Sequence, residues 1–242
     1  MPKLETARRI AEQLVESMQP YCERVMIAGS IRRGKPEVKD IEVCAIPRTS
    51  VKIPASLAVP PTMNKVGKIY DTDVPLTLPC NWDLFGTADT DEPEIPVSNG
   101  KSQNLLYLWA YRQTIVNRWI KPGVGTIIPW DIKPDGKYWR GLIDPKDGLR
   151  IKLDLFLLNE RNWGVLSTIR TGPAEFSTAL VTVIKKHTPF RVKDGFLTNE
   201  DTGEILECPT EEDFFRKAGI KFVPVEKRSA ENPYGILQLE NN

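Results

Sequence analysis

The spacing of apolar residues predicts most of the secondary structure. Ala7, Ile10, Ala11, Leu14, Val15 and Met18 recur at helical intervals, giving a helix over 5–18 that Pro20 stops. Positions 24–28 read as a short buried strand ending at Gly29-Ser30, and 40–46 as a second strand ended by Pro47. Positions 47–100 are rich in Pro, Thr and Asp with weak periodicity, and read as a peripheral insertion made mostly of loop. A helix is expected over 102–120 through Leu105, Leu106, Leu108, Trp109, Ile115, Val116 and Trp119. Strands at 138–143 and 149–158, joined by Asp144-Pro145-Lys146-Asp147-Gly148, read as a β-hairpin. Phe176, Leu180, Val183 and Ile184 mark a helix over 174–187. A second hairpin turns at Lys193-Asp194-Gly195, and a short helix at 211–218 ends at Gly219.

Side chains alternate across a strand, so Asp40 and Glu42 share one face while Ile41, Val43 and Ala45 take the other. In the later strand Ile151, Leu153, Leu155 and Leu157 form the apolar face, leaving Asp154 opposite, beside Lys152. Two acids on one strand face repel each other unless a cation offsets them, and oxygen ligands suit Mg²⁺ or Mn²⁺. An ordinary solvated strand surface would carry the same residues. The preceding run, Gly29-Ser30-Ile31-Arg32-Arg33-Gly34, makes the pair more specific. Backbone N–H groups and a hydroxyl there can approach a phosphate, and two arginines can bind its oxygens. Phosphate-binding chemistry therefore stands beside a candidate metal pair.

The pattern Gly29-Ser30-x-Arg32-Arg33-Gly34-x5-Asp40-x-Glu42 resembles the signature of the polymerase-beta-type nucleotidyltransferase superfamily, and especially of family X DNA polymerases in their compact phage and bacterial versions. Lys152-Leu153-Asp154-Leu155 resembles that family's third-carboxylate strand. Trp163-Gly164-Val165-Leu166 and Thr171-Gly172-Pro173-Ala174-Glu175-Phe176-Ser177 resemble the start of its thumb, and Thr210-Glu211-Glu212-Asp213-Phe214-Phe215 resembles its C-terminal helix. The resemblance spans roughly 1–47 and 137–228. It implies an α/β (α+β) fold: a palm over 1–160, with a mixed sheet flanked by helices and an insertion at about 48–136, followed by a thumb-like nucleotide-binding subdomain over 161–242.

The resemblance also implies a chemistry, the addition of nucleotides to a 3′-hydroxyl in DNA repair or replication. Asp40, Glu42 and Asp154 would bind two Mg²⁺ (or Mn²⁺) ions and carry catalysis. Gly29, Ser30, Arg32 and Arg33 would hold the phosphates of a nucleoside triphosphate. Gly172, Phe176 and Ser177 would meet its sugar and base. Lys152, Arg170, Arg191 and Lys193 would contact primer or template, a gapped or primer-template DNA. Glu42 stands where family X polymerases commonly have Asp. Ile169-Arg170 replaces an aromatic pair that helps exclude ribonucleotides, so weak deoxy-over-ribo preference is expected. No domain precedes residue 1, so the family's lysine-based lyase activity is expected to be absent. Two rival readings stay open: a superfamily relative modifying RNA ends, a protein or a small molecule, and a non-catalytic nucleic-acid-binding module.

Composition narrows this picture. Of 242 residues, 40% are hydrophobic and 27% charged, which excludes a disordered, collagenous or coiled-coil chain. No apolar run approaches the roughly 18–20 residues of a membrane span, and Met1-Pro2-Lys3-Leu4-Glu5 lacks a signal-peptide core. Cys22, Cys44, Cys80 and Cys208 form no CxxC pair, and His187 is the one histidine. These features point to a reduced cytoplasmic setting and to no histidine-rich metal or triad chemistry; a bacterial or phage-infected cell and a monomer are what the resemblance implies. A net charge of +1 conceals a basic block at 101–193 between two acidic stretches. Basic residues around the thumb either meet nucleic acid or form a solvated face. The acidic run 200–213 reads as solvated. Lys121-Pro122-Gly123-Val124-Gly125 looks like the turn of a helix-hairpin-helix motif, but no second helix follows, so it reads as a loop. Trp109, Trp119, Trp130 and Trp139 either stack on bases or pack in the core.

Overall fold

A computed structural model describes residues 1–48, 126–131, 137–144 and 150–240. The expected helix at 102–120, the loop at 121–125 and the turn at 145–149 lie outside these residues. So do Cys80, Trp109 and Trp119.

Helix α1 (Leu4–Met18) places Ala7, Ile10, Ala11, Leu14 and Met18 in the core, the face predicted by their spacing. A 3₁₀ turn, Gln19–Tyr21, carries Pro20 and leads into β1 (Cys22–Ile27). One turn of helix, α2 (Gly29–Arg32), follows, and then β2 (Asp40–Pro47). The first sheet is completed by β3 (Thr126–Asp131), β4 (Tyr138–Asp144) and β5 (Ile151–Leu157). Its strand order is β1-β2-β5-β4-β3. Only the central β2–β5 pair is parallel, so the sheet is mixed.

Strand β3 comes from the end of the segment read as a peripheral insertion. It instead forms the edge of the main sheet. Pro129 pairs opposite Gly141, next to an irregularity between Pro129 and Asp131. An edge strand tolerates proline because one side of it needs no ladder hydrogen bond.

The two faces of this sheet have different roles. Ile41, Val43, Ala45, Trp139, Ile143, Ile151, Leu153 and Leu155 pack beneath α1 in one core. On the opposite face Cys44, Ile46, Phe156 and Leu158 join Ala28 and Trp163 in a smaller cluster. Burying side chains of this size contributes about 1.5–3 kcal/mol each, before chain entropy is set against it. The polar ends of β2 and β5 lie beyond that cluster, on the same face.

The C-terminal part has a core of its own. Helices α3 (Trp163–Thr171) and α4 (Ala174–His187) precede a three-stranded sheet of β6 (Phe190–Lys193), β7 (Phe196–Asn199) and β8 (Ile205–Leu206). Helix α5 (Glu211–Lys217) closes it. Thr210 caps α5, its Oγ1 accepting from Asp213 N–H at 3.0 Å and donating to Asp213 Oδ2 at 2.8 Å. Val165, Phe176, Leu180, Ile184, Leu197, Phe214 and Phe215 fill this second core. The architecture is mixed α and β with two sheets. Among the described residues no helix is long and apolar enough to cross a membrane.

Candidate active site

Strand register brings the three acids together. In the parallel β2–β5 pair, Asp40 stands opposite Lys152 and Glu42 opposite Asp154. Across β4, Asp154 faces Arg140. Glu42, Asp154 and Arg140 thus form one row over three strands, with neighbours roughly 5 Å apart along the ladder. Asp40 and Lys152 form the row beside it.

Helix α2 sits against this row. The Ala28 N–H donates to the Glu42 carbonyl at 2.8 Å, so β1 ends beside Glu42. Gly29 follows with φ +62°, a conformation open to glycine at no steric cost. A Cβ at Gly29 would overlap Glu42 Oε2. The chain can turn this close to the carboxylate only without a side chain. Next to it, Ser30 Oγ is buried and has no hydrogen-bond partner among the described residues, and the same holds for Arg33 Nε. A buried hydroxyl with no partner costs stability unless another group meets it.

The electrostatics record the crowding. Burial first, and then the Asp154 charge, raise the Asp40 carboxyl above its ordinary value, against Lys39, Lys152 and Arg33. Glu42 is pushed up to about 7, by burial first, then by Asp40, with Arg33 opposing. Burial lowers Arg33 from the usual guanidinium value, while Glu42 and Asp40 hold it up.

Asp154 has partners of its own. The Tyr138 hydroxyl donates to its Oδ1, Arg140 Nε donates to the Tyr138 oxygen at 2.6 Å, and Arg140 Nε lies 3.7 Å from Oδ1. Tyr138 stacks on Phe156 with ring centroids 4.8 Å apart, and the Arg170 guanidinium covers Phe156 at 4.1 Å. Tyr138 and Arg140 were not singled out by sequence. The signal that could have found them is their alternation on β4, which puts both on the face of Asp154.

Among the described residues no three His, Cys, Asp or Glu side chains stand ready-made as a metal-binding group. Asp154's engagement with Tyr138 and Arg140 is one physical reason. The donor set still fits a hard divalent cation. Two half-buried carboxylates with raised pKa on one strand, a third across the ladder, and an orphaned hydroxyl beside them are the groups that a cation and a phosphate would satisfy together.

Other expected site residues lie elsewhere. Arg32 NH1 and NH2 bind Glu211 at 2.8 and 2.9 Å, and NH1 reaches Thr171 Oγ1 at 2.9 Å, so its guanidinium is committed to protein rather than open to phosphate. Arg33 NH1 donates to the Thr171 carbonyl. Phe176 is fully buried in the second core, and Ser177 Oγ donates to the Ile169 carbonyl at 2.8 Å. Phe176 is therefore a packing residue, not a surface for a sugar or base. Gly172 ends α3 where a Cβ would meet Phe176 and Ser177. Arg191 is tied to Glu200 and to the carbonyls of Thr188 and Phe190. Lys152, Arg170 and Lys193 are exposed. Glu211, part of the acidic run expected to be solvated, is buried. The chain matches no family model and no curated protein.

Proposed function

We propose that this chain is a polymerase-beta-like nucleotidyltransferase that transfers a nucleotide from a nucleoside triphosphate to a 3′-hydroxyl of DNA, in short gaps or at primer ends. The observation that carries the reading is the register of Asp40, Glu42 and Asp154 on one sheet face beside the Gly29–Arg32 turn. Residues 1–160 act as the palm and 161–242 as the thumb-like part of a cytoplasmic monomer.

Asp40 and Glu42, with Asp154, are the ligands for two Mg²⁺ or Mn²⁺ ions. Such ions, when bound, neutralise phosphate charge and lower the pKa of an attacking hydroxyl. Asp154 leaves Tyr138 and Arg140 to take the proton of the 3′-hydroxyl. The Ser30 hydroxyl and Arg33 hold the triphosphate's outer phosphates, satisfying the two orphaned atoms. The bond from 3′-oxygen to α-phosphorus forms as the bridge to the β-phosphate breaks, and pyrophosphate carries off the electron pair. Catalysis is then mostly positioning and charge compensation. Lys152, in the row of Asp40, faces the primer end.

The burial of Phe176 favours keeping a second reading. With no nucleotide face there, a relative acting on RNA ends, a protein or a small molecule shares the same acid site. Primer extension with Mg²⁺ or Mn²⁺, comparing the parent with Asp40→Ala and Asp154→Ala, separates the readings. The expected outcome is extension by the parent and a loss of at least about 10³-fold in each variant. Transfer only to a non-DNA acceptor supports the second reading. Tight DNA binding without turnover would make the chain a binding module.

A further inference from the structure

We propose that buried Glu211 is a positioning residue for the phosphate turn, so that the C-terminal segment, through Arg228, sets where Ser30 and Arg33 stand. This rests on the phosphate-binding reading of that turn.

The Glu211 carboxylate is shared by two arginines. Arg32 approaches with NH1 and NH2 at 2.8 and 2.9 Å, and Arg228 with NH1 and NH2 at 3.0 and 3.1 Å. The Arg228 side chain is fully buried and that of Glu211 is 8% exposed. Arg228 Nε donates to the Val223 carbonyl at 3.0 Å, and its guanidinium lies near the Phe215 and Phe222 rings. Nε of Arg228 is thereby held by the segment after α5, while NH1 and NH2 face Glu211 at the start of α5. Burial alone would push the Glu211 carboxyl up, but hydrogen bonds from Arg228 and then Arg32 bring it below the usual value. It stays ionised at neutral pH.

Helix α2 needs such ties. It is a single turn between Gly29 and Gly34, both at positive φ, so little within it fixes its orientation. Ile31 anchors it in the first core, and on the other side its polar anchors are Thr171, which receives both Arg32 and Arg33, and Glu211. Ser30 and Arg33 stand on this turn, and their unpartnered atoms are the ones assigned to phosphate. A charge-assisted fork–fork contact fixes direction as well as distance. Loss of the Glu211 charge leaves Arg32 with Thr171 alone and loosens the polar side of the turn. The link is reciprocal: an anion held by the turn steadies the C-terminal segment.

The test uses the full chain, with tripolyphosphate and Mg²⁺ as binding probe, primer extension for kinetics, and amide hydrogen exchange. In Glu211→Gln, residues 29–34 are expected to exchange faster. The KM for the triphosphate should rise about tenfold, with kcat within about twofold. Glu211→Asp should recover part of the loss, and Glu212→Gln, next to it, should match the parent. Tripolyphosphate should slow exchange at 219–229 in the parent. A cooperatively folded Glu211→Gln with the parent's KM and exchange would overturn the positioning role. A parent that neither binds tripolyphosphate nor extends a primer would instead overturn the phosphate reading and the proposal with it. Should Glu211→Gln fail to fold, Arg228→Lys keeps the charge but loses the fork, and an unchanged KM there overturns the proposal equally.

Discussion

At position 29 the absence of a side chain and the placement of Glu42 are one arrangement, because the carboxylate occupies the volume a Cβ would take. The same closeness keeps Glu42 out of water and raises it from its ordinary value of 4.5 to about 7. A carboxyl raised on folding opposes folding when ionised. That opposition is absent below about pH 4.5, grows from there to about 7, and is complete above it. In metal-free buffer Glu42→Gln should therefore stabilise the protein at pH 8, by about 3 kcal/mol at most, and have no such effect at pH 4. Urea unfolding at the two pH values measures it, and equal gains at both would refute it. The same variant should lose nucleotide transfer, since a stabilised site has given up the charge that binds cations. The shared face of Asp40 and Glu42 was legible in the sequence because strand alternation is a local rule, whereas the meeting of Glu42 with Asp154 rests on the β2–β5 register. The engagement of Asp154 by Tyr138 and Arg140 was not legible either. It depends on the register between β4 and β5, which the turn between them sets.

Helices and strands with one apolar stripe were readable to within a residue or two, as with α1 and α4. Helix α3 was not, and its burial explains why. Trp163, Gly164, Val165, Ser167, Thr168 and Thr171 are buried around much of its circumference, so no single stripe exists to be seen. Gly164 lets it approach the chain at Cys208 and Thr210 closely enough that a Cβ would strike the Thr210 carbonyl. For α4 the spacing of Phe176 was read correctly as a helix face, while its assignment to nucleotide came from the family resemblance. Spacing and burial agree on packing. Phe176→Leu should lower stability by about 1–2 kcal/mol in chemical denaturation, leaving the triphosphate KM within about twofold. A large rise in KM without loss of stability would return Phe176 to the site.

The two larger cores are joined by the small apolar cluster around Trp163 and by charged side chains. One face of the first sheet carries acids, and the Arg32–Glu211–Arg228 cluster links α2 to the C-terminal segment. The acidic run hid the buried Glu211 because composition says nothing of which acid turns inward. Lys185, Lys186 and Lys193 are exposed on the C-terminal part, whereas Arg191 is already paired. If these exposed lysines meet phosphates, affinity for gapped DNA should fall at least about tenfold between about 50 and 200 mM KCl. Fluorescence anisotropy titrations read this slope, and salt-independent binding would contradict it. The parallel pairing of β2 with β5 has a last consequence, in the order of events during synthesis. Glu42 and Asp154 meet across strands more than a hundred positions apart in the chain. A nascent chain therefore has no acid site until β5 has left the ribosome, and closing so long a loop makes this pairing one of the slower steps of folding. The chemistry of the site is withheld until most of the protein has been made.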